Sequence, residues 1–234
     1  MKIKGIQKTT LLDYPNKVAC VLFLHGCNFR CGFCHNPELV ISNGGTEISE
    51  ESVLKFLKKR KKILEGVCIT GGEPLLDLDI NFLKEIKKLG YKIKLDTNGS
   101  FPKRLKAILD MGLLDYVAMD IKASPKNYKK ATEKKVNLND IEKSIKLIHK
   151  SKLPYEFRTT IVSEIHTVED IVTMRDWVLK LLKESPKTFY LQGFKNSGKC
   201  INEKYLKESS VSEEYLNELK KILKEKFKKV GIRT

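Results

Sequence analysis

Three closely spaced cysteines are the residues of this chain best suited to chemistry. Cys27, Cys31 and Cys34 follow the pattern C-x3-C-x2-C, and no fourth cysteine lies nearby. A saturated iron–sulfur cluster takes four thiolates, so three would leave one iron of a cubane cluster without a protein ligand. An iron with an open position can bind and reduce a small molecule. The spacing therefore predicts a 4Fe–4S cluster with one iron available to a ligand.

Two other uses of these cysteines have to be weighed. A structural zinc ion needs four ligands, and His35 could be the fourth, but it directly follows Cys34 and adjacent residues seldom chelate one tetrahedral ion. Zinc motifs also come as two paired halves, whereas Cys20, Cys68 and Cys200 are single and scattered. A disulfide framework suits short secreted chains rather than a chain of 234 residues.

Composition favours a soluble cytoplasmic protein. The opening residues 1–5 contain no apolar signal region, and no stretch approaches the roughly 18 apolar residues of a membrane span. Lys and Arg exceed Asp and Glu by 45 − 29, a net charge of +16. Such a charge can attract nucleic acid or an acidic protein. The run Lys58–Lys62 has no interleaved aromatic residues, so a solvated face is expected and nucleic-acid binding is unlikely on this ground.

Apolar strand-like runs alternate with helical patterns. Strands are predicted at Val18–Leu24, Val67–Thr70, Tyr91–Asp96, Tyr116–Asp120, Phe157–Val162 and Thr188–Gln192. Helices are predicted after the capping residues Ser49, Asn139 and Thr167, before the stop at Gly90, at Pro102–Leu109 and at Ser212–Phe227.

This β–α repeat predicts an α/β fold with a parallel sheet. Six units are fewer than the eight that close a barrel, so a partial, open TIM-type barrel with a C-terminal helix is expected. We expect a single domain over 1–234, with an N-terminal extension (1–17), a barrel core (18–194) and a C-terminal tail and helix (195–234). The polar region Ala123–Lys135 is interpreted as a surface loop.

Each predicted strand carries a polar or glycine-rich element at or near its end. These elements are the cysteine loop, Thr70–Pro74, Asp96–Gly99, Asp120–Lys122, Arg158 and Gln192–Phe194. Sites of parallel α/β proteins form where the carboxyl ends of the strands meet. The pattern therefore predicts one site built from several strand ends.

The cysteine motif together with Gly71-Gly72-Glu73-Pro74 resembles the radical S-adenosylmethionine (SAM) superfamily. The resemblance implies that the open iron chelates SAM and that one electron cleaves its sulfonium to a 5′-deoxyadenosyl radical. It implies that Gly71, Gly72, Glu73 and Pro74 take the amino group of SAM, since glycines allow close approach. It also implies that Phe33 packs on the adenine and that Asn98 and Gly99 form the turn after the third strand. A plain Gly-Gly turn and an ordinary loop aromatic are the alternatives.

Further strand-end residues resemble the glycyl-radical-activating enzymes within that superfamily. There the matching residues, Asp96, Thr97 and Asp120, would help to hold a monovalent cation such as Na⁺ or K⁺, and Lys122 would lie near SAM. Hard oxygen ligands suit a hard cation. The two aspartates could equally cap the loops that follow them. Arg158 could reach the SAM carboxylate or ribose, or form a salt bridge inside the barrel.

The segments Gly5–Pro15 and His35–Leu39 sharpen the match. They resemble the activating proteins of anaerobic ribonucleoside-triphosphate reductases, relatives of pyruvate formate-lyase activase, and the resemblance covers Gly5–Phe194. It implies a glycyl-radical enzyme, most of all that reductase, as partner and a flavodoxin or ferredoxin as electron donor. The final residues 230–234 hold no glycyl-radical loop, so the radical is expected in the partner.

Two alternative functions stay open at this stage. One is a radical SAM enzyme acting on a small molecule, similar to 7-carboxy-7-deazaguanine synthase. The other, more distant, is a zinc-containing basic nucleic-acid-binding protein. Gly193–Cys200 nearly matches a phosphate-binding loop, but Cys200 replaces the required hydroxyl. Cys20 and Cys68 are expected to be buried in strands, and Cys200 and His166, the latter expected to be exposed, receive no role.

Overall fold

Strands and helices alternate along most of the chain. The structure is a computed structural model that describes residues 1–41 and 46–234. Within these residues the strands are β1 (Ile3–Thr10), β2 (Ala19–Leu24), β3 (Gly66–Gly71), β4 (Lys92–Thr97), β5 (Tyr116–Asp120), β6 (Tyr155–Ile161), β7 (Phe189–Gly193) and β8 (Val230–Arg233). The α-helices are α1 (Pro37–Val40), α2 (Glu50–Arg60), α3 (Ile80–Lys88), α4 (Pro102–Asp110), α5 (Tyr128–Thr132), α6 (Leu138–Lys150), α7 (Val168–Leu182) and α8 (Glu213–Lys224).

The strands form an open sheet in which neighbours are consecutive in the chain, from β1 at one edge to β8 at the other. The pairs β2–β3, β3–β4, β6–β7 and β7–β8 are parallel, whereas β1 runs antiparallel to β2. This confirms the predicted α/β class and partial, open TIM-type barrel. The predicted strands correspond to β2–β7, with ends displaced by at most two residues.

The two edge strands are the part of the sheet that sequence patterning missed. In β1 only Ile3 and Thr10 are fully buried, so the apolar alternation that marks a half-buried strand is weak. β8 has four residues, of which only Val230 is buried. Edge strands need less apolar sequence because one of their sides is not paired. The tail beyond residue 194 therefore contains a strand that its sequence did not indicate, in addition to the predicted helix.

The packing of the Cα atoms divides the described chain into two compact units. The first comprises residues 1–28, 38–97 (described without 42–45) and 103–117, and the second comprises 29–37, 98–102 and 118–234. The single domain expected from the sequence stays a prediction.

The core of the first unit is built on β2 and β3. Residues 19–22 and 67–69 are almost completely buried, as expected for parallel strands covered on both faces. Helix α3 turns Phe82, Leu83 and Ile86 inward, at the spacing of one helical face. Cys20 and Cys68 lie in these strands and are buried, as predicted; burial raises the pKa of the Cys20 thiol to about 12.

The core of the second unit is formed by β6–β8 and helices packed on them. Helix α6 buries Ile141, Ile145 and Ile148, and α8 buries Leu216, Leu219 and Leu223. Helix α7 contacts both of these helices. Each helix thus presents a stripe of apolar residues three or four positions apart to the interior.

Helix starts follow the predicted capping chemistry with one exception. The side chains of Ser49 and Thr167 each accept a hydrogen bond from a backbone N–H in the first turn, which confirms them as N-caps. Ser212, predicted as the first residue of the last helix, caps α8 in the same way. Helix α6, however, begins at Leu138 with Asn137 as its cap, two residues before the predicted Asn139. Two asparagines of similar capping strength flank Leu138, and the sequence alone does not rank them.

The interpretation of Ala123–Lys135 as a surface loop was wrong. This segment contains α5, and Tyr128, Ala131 and Thr132 are buried. Part of this polar segment can be buried because its polar groups form hydrogen bonds inside the protein. Ser124 and Asn127 both donate hydrogen bonds to the buried carboxylate of Asp170 in α7 (2.5 and 2.9 Å).

In the described part of the chain, no helix is both long enough and apolar enough to cross a membrane.

Strand β8 is fixed to β6 by a buried ion pair, which gives a test of the fold. The Arg233 guanidinium donates to both carboxylate oxygens of Glu156 (2.5 and 2.8 Å) and stacks on the Tyr190 ring at 3.8 Å, while Glu156 is only 1% exposed. Arg233→Met should lower the free energy of unfolding by about 2–3 kcal/mol, because a buried carboxylate loses its counter-charge. Urea unfolding measures this.

The matched control is Lys106→Met, which breaks an exposed pair with Asp110 on α4. It should cost less than about 1 kcal/mol. Equal losses in the two variants would contradict the structural importance of the Arg233–Glu156 pair.

Candidate functional site

In the first unit, the end of β3 lies directly against the start of the cysteine loop. The Gly72 N–H donates to the Leu24 carbonyl (2.9 Å), and the Glu73 N–H donates to the Gly26 carbonyl (2.7 Å). A Cβ atom added to Gly72 would lie 1.9 Å from the Gly26 carbonyl oxygen and 3.2 Å from Cys27 Cβ. No side chain fits at position 72. Two motifs that the sequence links only by their order are therefore in contact.

Gly71 and Glu73 complete this corner. Gly71 has φ +125°, in a region that side chains other than glycine rarely adopt. The buried Glu73 carboxylate accepts hydrogen bonds from the Leu75 N–H (3.0 Å) and the Thr97 hydroxyl (2.8 Å), both at Oε1. Glu73 therefore ties the turn after β3 to the end of β4. Its role toward a ligand stays a prediction.

Asp96, predicted as a cation ligand, already has a counter-charge. Its carboxylate is ion-paired with the Lys94 ammonium, which lies two residues earlier on the same strand and is buried. Side chains two residues apart point to the same face of a strand, so the sequence itself places the two charges together. The neighbouring Thr97 hydroxyl is engaged by Glu73.

In the second unit, the cysteine loop is shaped by backbone hydrogen bonds around Cys31 and Cys34. The Cys34 N–H donates to the Cys31 carbonyl (3.0 Å), and the Arg30 N–H donates to the Thr132 carbonyl at the end of α5 (2.9 Å). Cys31 is buried, and Cys34 is half-buried. Cys27 is also half-buried, and chain length alone keeps it within about 14 Å of Cys31.

The segment after β7 supports the cysteine loop from within the same unit. The Asn202 N–H donates to the Gly32 carbonyl (3.0 Å), and a Cβ on Gly32 would lie 2.5 Å from the Tyr205 ring. Tyr205 packs edge-on against Phe33, with ring centroids 5.9 Å apart, and donates its hydroxyl to Glu164 (2.9 Å). Phe33 is buried in this contact, and its packing on an adenine stays a prediction.

His35 follows the third cysteine and packs on the ring of Phe194, with centroids 5.3 Å apart. Burial lowers the pKa of His35, although a backbone hydrogen bond at Lys195 opposes the shift. Residues 194–202 are irregular, and the 3₁₀ turn Glu203–Leu206 follows them. A phosphate-binding loop would lead into an α-helix instead, so this geometry agrees with rejecting one at Gly193–Cys200.

The strand ends of β5 and β6 bring three predicted residues together. The Asp120 carboxylate accepts a hydrogen bond from Lys122 Nζ (2.8 Å) and is also ion-paired with the Arg158 guanidinium. Burial alone would raise the pKa of Asp120, but Arg158 and Lys122 hold it well below its ordinary value. Burial would lower the pKa of Lys122, but Asp120 and then Cys31 raise it above its ordinary value. All three groups therefore stay charged.

Of the two roles left open for Arg158, the structure shows the salt bridge inside the fold. Its binding of SAM stays a prediction. Asn98 and Gly99 form the predicted turn after β4: the Asn98 side chain accepts from the Ser100 N–H (3.0 Å), and Gly99 has φ +77°. The Gly99 carbonyl accepts a hydrogen bond from the Ser144 hydroxyl of α6 (2.6 Å), which fixes the turn in the second unit.

Sequence reasoning missed two residues beside Lys122. His166, expected to be exposed, is completely buried: its Nδ1 accepts from the Val162 N–H (2.9 Å), and its Nε2–H donates to the Lys122 carbonyl (2.7 Å). Tyr128 of α5 is the second, and its hydroxyl is buried without a hydrogen-bond partner in the described part of the chain. The signal that could have identified Tyr128 is an aromatic residue in an otherwise polar segment.

The cysteine loop offers the donor set of an iron–sulfur cluster. Three thiols on one short loop are the donors that such clusters take. In the first unit, the turn after β3, which carries no side chain at Gly72, lies directly against the start of that loop. Among residues 1–41 and 46–234, no group of three His, Cys, Asp or Glu side chains is arranged around one metal ion.

The Gly72 contact predicts a large effect from one methyl group. Gly72→Ala should lower the free energy of unfolding by more than about 3 kcal/mol. The added Cβ would meet backbone atoms of Gly26, which cannot move aside by a change of rotamer as a side chain could. Urea unfolding measures it. Gly5→Ala in β1 is the control, since its Cβ would lie 3.4 Å from the Phe23 ring, and should cost less than about 1 kcal/mol. Equal effects would contradict the close packing.

His166 predicts an acid-sensitive fold. Burial lowers the pKa of His166 in the folded protein, against the ordinary value of 6.5. Below pH 6.5 the unfolded chain therefore binds a proton that the folded chain rejects, and stability falls as the pH falls. The contribution is at most about 1.4 kcal/mol per pH unit. Unfolding free energies between pH 7.5 and 5 should fall less steeply in His166→Asn. Parallel losses in the two proteins would show that another group is responsible.

Comparison with known proteins supplies the family context for this site. The sequence model of the Radical SAM superfamily matches residues 21–178. A Methanocaldococcus jannaschii protein provisionally named as a glycyl-radical enzyme activating enzyme is 32% identical over 99% of this chain and 95% of its own length. The pyruvate formate-lyase-activating enzyme of Clostridium pasteurianum is 35% identical over 52% of each chain, so the chain spans about half of that relative.

A solved structure shows the same fold. It is a domain of the pyruvate-formate lyase-activating enzyme from Bacteroides vulgatus, with a TM-score of 0.57 and 20% identity, covering 72% of this chain and 99% of that one. At this identity the likeness concerns the fold alone.

Proposed function

The chain belongs to the radical SAM superfamily and, within it, to the family of glycyl-radical-activating enzymes, and on that premise we propose that it activates an anaerobic ribonucleoside-triphosphate reductase. Enzymes of the superfamily use a 4Fe–4S cluster and SAM. Held by Cys27, Cys31 and Cys34, a reduced cluster would supply the one electron needed to cleave SAM to methionine and a 5′-deoxyadenosyl radical, and that radical would take a hydrogen atom from a glycine Cα of the partner.

The observation that carries the proposal is the close packing of Gly72 and Glu73 against Gly26, the residue before Cys27. It supports a site in which Cys27, Cys31 and Cys34 bind the cluster while the backbone of Gly71–Pro74 receives the amino group of SAM beside it. The absence of a Cβ at Gly72 is what allows this backbone to lie against Gly26 at the start of the cysteine loop. The thiol donor set agrees with an iron–sulfur cluster.

The remaining ligand contacts extend the proposal to the second unit. Phe33 is assigned to the adenine, with Asn98, Lys122 and Arg158 around the rest of SAM. The Lys122 ammonium and the Arg158 guanidinium are both held by Asp120, which would orient them toward the carboxylate or ribose of SAM. A monovalent cation at Asp96, Thr97 and Asp120 would have to share carboxylates that lysine and arginine already neutralise. Of all the assignments, the cation site has the least support from geometry.

The choice of partner rests on the family and on the segments Gly5–Pro15 and His35–Leu39. A glycyl-radical enzyme is the family's substrate, and the reductase is our narrower proposal. Electrons would come from a flavodoxin or ferredoxin, and we infer a cytoplasmic location. The net charge of +16 supports an acidic partner surface, since complementary charge speeds association.

The cluster assignment predicts a loss of activity specific to the motif. After anaerobic reconstitution and reduction, the protein should convert SAM into methionine and 5′-deoxyadenosine, measured by liquid chromatography. Cys31→Ala should reduce the rate by at least about 10³-fold, because removal of a metal ligand removes the bound group. Cys20→Ala, which changes a buried thiol outside the motif, is the control and should retain most activity. Unchanged cleavage in Cys31→Ala would refute the cluster site.

The partner is tested with the same reconstituted protein. Mixed with SAM and the anaerobic reductase of its own organism, it should generate a glycyl-radical EPR signal that is absent with Cys31→Ala. SAM cleavage without any glycyl signal, accompanied by turnover of a small pterin substrate, would instead support the small-molecule alternative. Zinc in place of iron and sulfide after anaerobic purification would support the nucleic-acid-binding alternative.

A further inference from the structure

Tyr128 carries a buried hydroxyl group that the fold itself does not use. The residue is 1% exposed, and within the described residues its Oη has no hydrogen-bond partner. Burial raises the pKa of Tyr128, and the nearby Lys122 backbone N–H opposes that rise. The two groups nevertheless do not meet hydrogen-bond geometry. Buried polar groups are nearly always paired, so an orphaned one calls for an explanation.

Packing does not provide that explanation. The Tyr128 ring meets Trp177 edge-on, with centroids 6.3 Å apart. A phenylalanine ring would make the same contact without burying an unpaired oxygen. The hydroxyl therefore costs stability and adds nothing to the packing.

Helix α5, which begins with Tyr128, holds the cysteine loop on both sides of Cys31. The Arg30 N–H donates to the Thr132 carbonyl (2.9 Å), and a Cβ on Gly32 would lie 2.3 Å from the Glu133 carboxylate. The Thr132 hydroxyl in turn donates to the Tyr128 carbonyl (2.8 Å). The residues on both sides of Cys31 thus pack against the C-terminal end of the short helix that carries the orphaned phenol.

The charges around the phenol agree with this placement. Burial raises the pKa of Tyr128 well above its ordinary value, and Asp120 and Cys31 add to that rise while Lys122 opposes it. A phenol with its ordinary pKa of about 10 is protonated at neutral pH and can donate a hydrogen bond. The Asp120 carboxylate is not its partner in the described residues and is already engaged by Lys122 and Arg158.

We propose that the Tyr128 hydroxyl donates a hydrogen bond to Cys31 Sγ when that thiolate binds the cluster, and so raises the reduction potential of the cluster. The inference rests on the proposed cluster site. A reduced cluster carries more negative charge on its sulfur atoms than an oxidised one, so a donor stabilises the reduced form more strongly. Hydrogen bonds to sulfur are among the factors that set cluster potentials. Tyr128 is a tuning residue and does not touch the substrate.

The test is a potentiometric titration of the reconstituted protein followed by EPR. Tyr128→Phe keeps the ring and removes only the donor. At a fixed potential the ratio of reduced to oxidised cluster should fall by about tenfold, which for a one-electron couple is about 59 mV. Tyr155→Phe is the matched control. Tyr155 is the first residue of β6, at the end of the strand opposite the site, and its buried hydroxyl accepts a hydrogen bond from the Lys187 N–H (3.0 Å). Removing this hydroxyl should leave the reduction potential unchanged.

A second readout detects the hydrogen bond directly. In D₂O, ENDOR spectra of the reduced wild-type cluster should show an exchangeable deuteron coupling that Tyr128→Phe loses and Tyr155→Phe keeps. An unchanged potential in Tyr128→Phe, or no such coupling in the wild-type protein, overturns the inference. If Tyr128→Phe fails to retain iron, the wild-type spectrum still tests the inference, because the absence of the deuteron coupling would overturn it. Failure of the wild-type protein to assemble a cluster would instead refute the proposed function.

Discussion

Close backbone packing between two loops is the constraint on which the first half of the site depends. The N–H groups of Gly72 and Glu73 bond to carbonyls in the strand and loop that lead to Cys27. The same approach leaves no space for a Cβ at position 72. One glycine therefore allows the end of β3 to lie against the start of the cysteine loop. A larger residue would push the two segments apart.

Carboxylates at the strand ends are balanced by nearby cations. Asp96 pairs with Lys94, two residues earlier on the same face of β4. Asp120 at the end of β5 pairs with Lys122, two residues beyond it, and with Arg158 of β6. Burying a carboxylate without a counter-charge would cost free energy. In β4, the alternation of side chains along the strand places Lys94 on the same face as Asp96 and so supplies that counter-charge. The same arrangement holds Lys122 and Arg158 in place by their shared attraction to Asp120. Their position is therefore fixed before any ligand arrives.

The sequence predicted the parts of the molecule whose signal is local. Apolar runs identified β2–β7, and capping side chains identified the starts of α2 and α7, because each depends on a few adjacent residues. The motif glycines and cysteines were found for the same reason. β1 was missed because its pairing with β2 compensates for a weakly apolar pattern. Its existence depends on a neighbour that the sequence of β1 does not reveal.

Segments that bury polar groups were beyond reach of sequence patterning. The stretch around α5 reads as a solvated loop, yet its serine and asparagine side chains are matched to Asp170, forty-three residues or more along the chain. His166 is likewise buried because two backbone groups satisfy its ring nitrogens. Such matching exists only in three dimensions. Asp170, His166 and Glu73 are each satisfied by the fold. The Tyr128 hydroxyl, which has no partner within residues 1–41 and 46–234, is the exception, and our proposal explains it by a group that binds after folding.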